Sequence, residues 1–117
     1  MLPKSARLTE SADFARTTKS GLRFSTDHFV GYLYQTKLDQ PARAGLITSK
    51  NIGGSVTRHQ VARKIRHVLL DIYKQLPQGS LLVIRALNNS KNAEFKTEIR
   101  KINEQLLKKL SNKVDSK

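Results

Sequence analysis

The clearest hydrophobic pattern lies in the middle of the chain. Val61, Ile65, Val68, Leu69, Ile72 and Leu76 recur at spacings of four, three, one, three and four, which places them on one stripe of an α-helix. Ser55 or Thr57 is placed to cap its start, and Pro77 with Gly79 closes it. Phe95, Ile99, Ile102, Leu106 and Leu110 form a second stripe and predict a last helix. Residues 111–117 then turn polar and are expected to fray. Near the start, Leu8, Ala12, Phe14 and Ala15 make a weaker apolar face. Thr9 is a candidate cap there, Glu10 and Asp13 suit the positive end of a helix dipole, and Gly21 ends the element.

Between these helices the pattern shortens to strands. Residues 22–26 and 29–36 read as two of them, and Phe29-Val30-Gly31-Tyr32-Leu33-Tyr34 is rich in aromatic and branched side chains. Asp39-Gln40-Pro41 interrupts, residues 43–49 resume as a third strand, and Asn51 to Ser55 with Gly53 and Gly54 is a loop. Ser80 to Leu87 is nearly continuous in apolar residues, the mark of a strand covered on both faces. The order αβββαβα predicts an α+β fold, a single two-layer α/β sandwich. A chain of 117 residues, 38% hydrophobic, fills one core and not two. The expectation is a single domain over 1–117 with an ordered core of about 8–110, a basic N-terminal arm over 1–7 and a frayed C-terminal tail.

Charge changes the picture from fold to partner. Lys and Arg total 22 against nine acids, a net charge of +13, and such an excess points to a polyanion. No acid lies between Asp39 and Asp71, and only Asp71 lies between Asp39 and Glu94. Arg43, Lys50, Arg58, Arg63, Lys64, Arg66, Lys74, Arg85 and Lys91 all fall in that stretch. Charge kept for solubility normally mixes both signs. No membrane partner is expected, because the longest apolar run, Leu81 to Ile84, is too short to span a bilayer. Met1-Leu2-Pro3-Lys4 is followed by no apolar run, so no secretory signal is expected. The absence of cysteine excludes a disulfide scaffold, a cysteine zinc site and a thiol nucleophile, and a cytoplasmic location is expected.

The basic residues have a register. With Val61, Ile65, Val68 and Ile72 buried, His59, Arg63 and Arg66 fall at i, i+4 and i+7 almost opposite, flanked by Gln60, Lys64 and His67. One helix thus buries an apolar stripe and offers cations about 5–6 Å apart, comparable to the spacing of phosphates along RNA. Arginine suits this task because its planar fork grips phosphate oxygens. Arg58 lies in the first turn, where free N–H groups add to the attraction. An ordinary solvated face would include acids for i,i+4 pairing, and none appears before Asp71. His59 and His67, at i and i+8, do not make a metal site.

Lys50-Asn51-Ile52-Gly53-Gly54-Ser55-Val56-Thr57-Arg58 and the helix that follows resemble the signature of the bacterial ribonuclease P protein family. Arg58, Arg63 and Arg66 match its arginine register, whereas His59 and Gln60 stand where the pattern has Asn and Arg, and Ala62 replaces a common Lys. The likeness runs from about Leu8 to Leu110, through Asp13-Phe14, Gly21 with Arg23-Phe24, Phe29-Val30, Arg43-Ala44-Gly45-Leu46, Ser49-Lys50 and Leu82 to Ala86. The resemblance implies a four-stranded mixed sheet with a left-handed βαβ crossover. Periodicity alone does not suggest that hand, since nearly all such connections are right-handed.

The resemblance also implies the function. The chain would be the protein subunit of ribonuclease P, binding one catalytic RNA and precursor tRNA while that RNA removes the 5′ leader with magnesium (Mg2+) that it mainly binds itself. Lys50, Arg58, His59, Gln60, Arg63, Lys64, Arg66 and His67 would contact the catalytic RNA. Phe14 and Tyr32 would meet the single-stranded leader in a cleft between the first helix and the sheet, where stacking tolerates any base. Their ordinary alternative is core packing. Thr18 stands where relatives often carry an aromatic ring. No catalytic or metal-binding residue is expected in the protein itself. Its nine acids are scattered, and the neighbours Asp27 and His28 would point to opposite faces of a strand.

Three other functions fit less of the chain. A ribosome-associated protein would explain charge and size but not the loop-to-arginine-helix motif. A helix-turn-helix DNA binder needs a helix where Gly53 and Gly54 stand. A protein-only nuclease needs clustered carboxylates, which the acid-poor centre lacks.

Overall fold

The computed structural model describes residues 6–36, 40–88 and 90–115, with 112–115 given by backbone alone. The elements run α1 (Ser11–Ser20), β1 (Leu22–Ser25), β2 (Phe29–Gln35), β3 (Arg43–Ile47), α2 (Ser55–Ile72), β4 (Ser80–Ala86) and α3 (Phe95–Asp115). The expected order is the observed one, and the strands end a residue or two early, where ladder pairing stops. The sheet order is β1-β2-β4-β3. β1 pairs β2 and β2 pairs β4 antiparallel, whereas β3 and β4 run parallel. The sheet is therefore mixed, and α2 carries the connection that a parallel pair requires.

Alternation along the strands assigns each helix its face. Phe29 and Leu33 of β2, Ala44 of β3, and Leu82, Ile84 and Ala86 of β4 join Val61, Ile65, Leu69, Ile72, Ile99, Ile102 and Leu106 in the main core. Both predicted apolar stripes are thus the buried sides of α2 and α3. Each fully buried Leu, Ile, Val or Phe contributes roughly 1.5–3 kcal/mol, so this layer dominates stability. Val30, Tyr32, Leu81 and Val83 point the other way and cluster with Leu8, and Phe14, Tyr34, Ile47 and Leu87 pack against them. The short α1 lies on this second face. Its buried residue is Thr17, whose hydroxyl donates to the Asp13 carbonyl at 2.7 Å.

Both ends of the chain differ from expectation. Of the predicted arm, residues 1–5 lie outside the described residues, but Ala6 is buried in the main core. Arg7 bridges Ala44 in parallel, and the Leu8 N–H donates to the Ala44 carbonyl at 3.0 Å. Residues 6–8 therefore pair with the edge of β3 that β4 leaves free. At the other end, the tail expected to fray continues α3 as helix to Asp115, while residues 116–117 lie outside the described residues.

The helix starts differ as well. Glu10 and Gly54, not Thr9, Ser55 or Thr57, occupy the capping positions of α1 and α2, and neither helix has a side-chain cap. The turn before α2 is made by backbone instead. Lys50–Ile52 form a 3-10 turn anchored by buried Ile52, Gly53 takes φ 148°, and Gly54 is extended. A β-carbon is strained at that φ, so Gly53 is what lets the chain turn from Lys50 into α2.

Candidate nucleic-acid interface

α2 presents its cations as its periodicity demands. His59, Gln60, Arg63, Lys64, Arg66 and His67 are all exposed, and Lys50 is exposed in the turn before the helix. Val56, His59, Gln60, Arg63, Arg66 and His67 line one shallow depression. Val56, 70% exposed, is the one large apolar side chain left in water among the described residues. Lys64 is drawn aside, its ammonium 5.3 Å from the Phe95 ring centre at the start of α3. Arg58 differs again. It is half-buried, and its Nε is enclosed without a hydrogen-bond partner among the described residues. An unpaired buried donor is costly.

The leader residues fall on the second sheet face. A Cβ on Gly45 would lie 2.7 Å from the Phe14 ring, so the ring lies directly on β3 where the chain has no side chain. Gly45 pairs with Val83, and Val83 pairs with Tyr32. Phe14 and Tyr32 therefore share one row of the face, two strand spacings or about 10 Å apart. Phe14 is half-buried, whereas Tyr32 is 8% exposed within the Val30–Val83 cluster. Thr18, one turn from Phe14, spends its hydroxyl on the Phe14 carbonyl of its own helix at 3.0 Å.

The two sets of residues meet. Ser11 and Phe14 of α1, Ile47 of β3, and Arg58, His59 and Arg66 of α2 line one open groove of about 590 Å³. Sequence reasoning treated the arginine helix and the aromatic cleft as two surfaces, and the fold makes them the walls of one. Two further cations stand near this face: Arg16, whose guanidinium lies 6.0 Å from the Tyr34 ring centre, and Arg85, exposed on β4. Arg85 is visible in the sequence as the charge interrupting an apolar run.

His28 pairs with neither Asp27 nor a metal cluster. Its Nδ1–H donates to Glu98 Oε2 at 2.6 Å, while the His28 N–H and the Thr26 hydroxyl donate to Oε1 at 3.2 and 2.7 Å. Glu98 thereby clasps the β1–β2 turn to the first turn of α3. Burial pushes the Glu98 carboxyl up, but the hydrogen bonds from Thr26 and His28 and the His28 charge outweigh it and leave it below the usual range. A carboxyl depressed on folding adds stability above its unfolded pKa, about 4.3 for glutamate, and loses it as pH falls through the folded value. Glu98→Gln is therefore expected to lower Tm at pH 7, with the deficit closing below about pH 4. An equal deficit at pH 3 and pH 7 would show that the carboxylate charge contributes nothing. Among the described residues no three His, Asp or Glu side chains converge on a cation position, and no helix is long and apolar enough to cross a membrane.

Known proteins share this architecture and this sequence. The family model described as Ribonuclease P matches residues 2–111. The ribonuclease P protein component of Streptomyces bikiniensis is 38% identical over 102 residues, covering 80% of this chain and 83% of its own. That of Mycobacterium tuberculosis is 41% identical over 92 residues, covering 79% and 78%. The Staphylococcus aureus RNase P protein superposes with a TM-score of 0.75 at 25% identity, over 86% of this chain and 94% of that one. The Thermotoga maritima RNase P protein gives 0.68 at 22%, over 88% and 96%, a likeness of fold. An arginine helix with no acid before Asp71, the glycine turn that launches it and a family match over nearly the whole length lead to one assignment: the chain belongs to the ribonuclease P protein component family.

Proposed function

We propose that this chain is the protein subunit of a ribonuclease P ribonucleoprotein, assisting a catalytic RNA in removing the 5′ leader of precursor tRNA. The observation that carries the reading is the shared groove, in which Arg58 and Arg66 of the basic helix and the Phe14 ring face one space. The outer side of α2, with Lys50, Arg58, His59, Gln60, Arg63, Lys64, Arg66 and His67, binds the backbone of the catalytic RNA. Phe14 supports a leader base at the edge of that surface, and stacking accepts any sequence. Tyr32 forms the floor of the same row and contributes less ring surface than Phe14. In this reading the magnesium ion, and with it the activation of water, belongs to the RNA.

The test is reconstitution. The purified chain, its catalytic RNA and magnesium are assayed together and separately on precursor tRNA, with the 5′ end of the product mapped. Together they are expected to release an intact leader and mature tRNA, and the protein alone is expected to cleave nothing. Metal-dependent cleavage of precursor tRNA by rigorously RNA-free protein would overturn the assignment of chemistry to the RNA. Messenger RNA belongs in the same assay, because a Staphylococcus aureus RNase P protein variant, 28% identical over 92% of this chain, is described as defective in mRNA degradation activity.

A further inference from the structure

The fold treats the histidines of this chain differently. His28 is tied to Glu98 at 2.6 Å. His59 and His67 are exposed, and neither has an ion pair or hydrogen bond among the described residues. Both line the depression on the outer side of α2, together with Val56, Gln60, Arg63 and Arg66. His67 follows His59 by eight residues, about 12 Å along the helix axis, with Arg63 midway. Imidazole is the side chain whose charge ordinarily changes between about pH 5 and 8. One face thus holds two kinds of cation: guanidiniums charged at every pH, and rings whose charge depends on a proton.

The surroundings supply no anion to either ring. Every residue lining the depression belongs to α2, and none is an acid. On its other side His59 shares the groove with Arg58 and Arg66 of its own helix, Ser11 and Phe14 of α1, and Ile47 and Thr48 at the end of β3, again without an acid. Asp71, one turn past His67, is exposed and forms no ion pair among the described residues. Lys64, one turn before His67, lies over the Phe95 ring. A carboxylate partner would hold the imidazolium with or without RNA. Here the negative charge that favours it comes from outside the protein.

We propose that His59 and His67 are proton-dependent phosphate contacts, which couple binding of the catalytic RNA to uptake of protons from solution. The inference rests on the proposed function and adds regulation by pH at the same surface. A phosphate beside the ring favours imidazolium, so the proton is held more tightly in the complex than in the free protein. Such a group strengthens binding fully below the ordinary imidazole value of about 6.5, and the gain is lost as pH rises through the value in the complex. Affinity therefore falls between about pH 6 and pH 8, and fewer phosphates are neutralised at the higher pH. Arg63 and Arg66 supply the part of the grip that pH does not change.

The test is a salt titration of binding between the chain and its catalytic RNA at about pH 6 and about pH 8. The native protein is compared with His59→Asn, His67→Asn and the double variant. Asparagine keeps a hydrogen-bonding side chain that cannot take the charge. At the lower pH the native protein is expected to gain roughly tenfold in affinity for each ring, with a slope of log K against log salt steeper by about 1.4–1.8. Each single variant is expected to lose about half of that pH response, and the double variant nearly all of it. The double variant retains every other titrating group, His28 and the RNA bases included, so its residual response measures theirs. A pH response as large in the double variant as in the native protein overturns the inference, as does a native slope that pH leaves unchanged. Arg63→Ala with Arg66→Ala separates the two readings. If that pair flattens the slope at both pH values while the histidine variants alter nothing, the coupling fails and the proposed function stands. If neither pair changes affinity or slope, the proposed RNA surface fails with it.

Discussion

Replacing Arg63 and Arg66 together by alanine is expected to leave the fold intact, weaken binding of the catalytic RNA and flatten its salt dependence. Both side chains are exposed on the side of α2 away from Val61, Ile65, Leu69 and Ile72. Neither has an ion pair or hydrogen bond among the described residues to lose, and alanine is the best helix former. The native fold therefore loses little. Each cation that neutralises a phosphate releases condensed counterions, so every lost contact should reduce the slope of log K against log salt by roughly 0.7–0.9. Two contacts give a reduction of about 1.4–1.8, with an affinity loss on the order of a hundredfold at low salt. Gln60→Arg is the opposite change, adding a cation beside Arg63 on the exposed face, and should steepen the slope. The measurement is a salt titration of RNA binding with circular dichroism as the control. Unchanged slopes in folded variants would mean that this face is merely solvated.

What could be read from the sequence was what burial writes into local periodicity. The stripes of α2 and α3 were legible because each turn of a buried helix must place an apolar residue toward the same layer, and those residues are the ones the main core contains. The arginine register followed, since the outer side of a helix is fixed once its inner side is known. β4 was legible as a strand buried on both faces for the same reason. Its central place, parallel to β3 and antiparallel to β2, was not, because pairing partners leave no mark on a continuous apolar run. The caps were misplaced because a capping position is a backbone conformation. Gly53 at φ 148° and the extended Gly54 carry the turn that Ser55 and Thr57 are chemically suited to make. The site itself was legible in halves. Phe14 and Arg66 meet only because α1 crosses one face of the sheet while α2, packed on the other, reaches past β3 to the same edge. The His28–Glu98 clasp joins residues 70 positions apart, beyond anything that local spacing reports.

One added methyl group, in Gly31→Ala, is expected to destabilise the fold measurably. Gly31 lies in β2 between Val30 and Tyr32, and its missing side chain would point into the main core beneath α3. A Cβ there would stand 2.1 Å from Ile102 Cγ2, 3.2 Å from Leu106 Cδ1 and 3.4 Å from Ile84 Cδ1. The first distance is far inside contact, and the atom it meets cannot move aside. Cγ2 is fixed directly to the Ile102 β-carbon, and a β-branched side chain in a helix has one strongly preferred rotamer. Ile102 is also fully buried, so α3 and β2 must separate. Overpacking of this kind costs about 1–3 kcal/mol. For a chain this size each kcal/mol lowers Tm by roughly 4 °C. The mechanism can be separated from any general intolerance of β2 by a double mutant. Ile102→Ala alone opens a cavity and should cost about 2–5 kcal/mol, but it also removes the atom that Gly31→Ala strikes. In the pair the new methyl group enters space already vacated, so the combined loss should fall short of the sum by on the order of 1 kcal/mol or more. Thermal unfolding of the two single mutants and the double mutant decides it. A native-like Tm for Gly31→Ala, or strict additivity in the pair, would show that Gly31 is not the point where β2 and α3 make their closest approach.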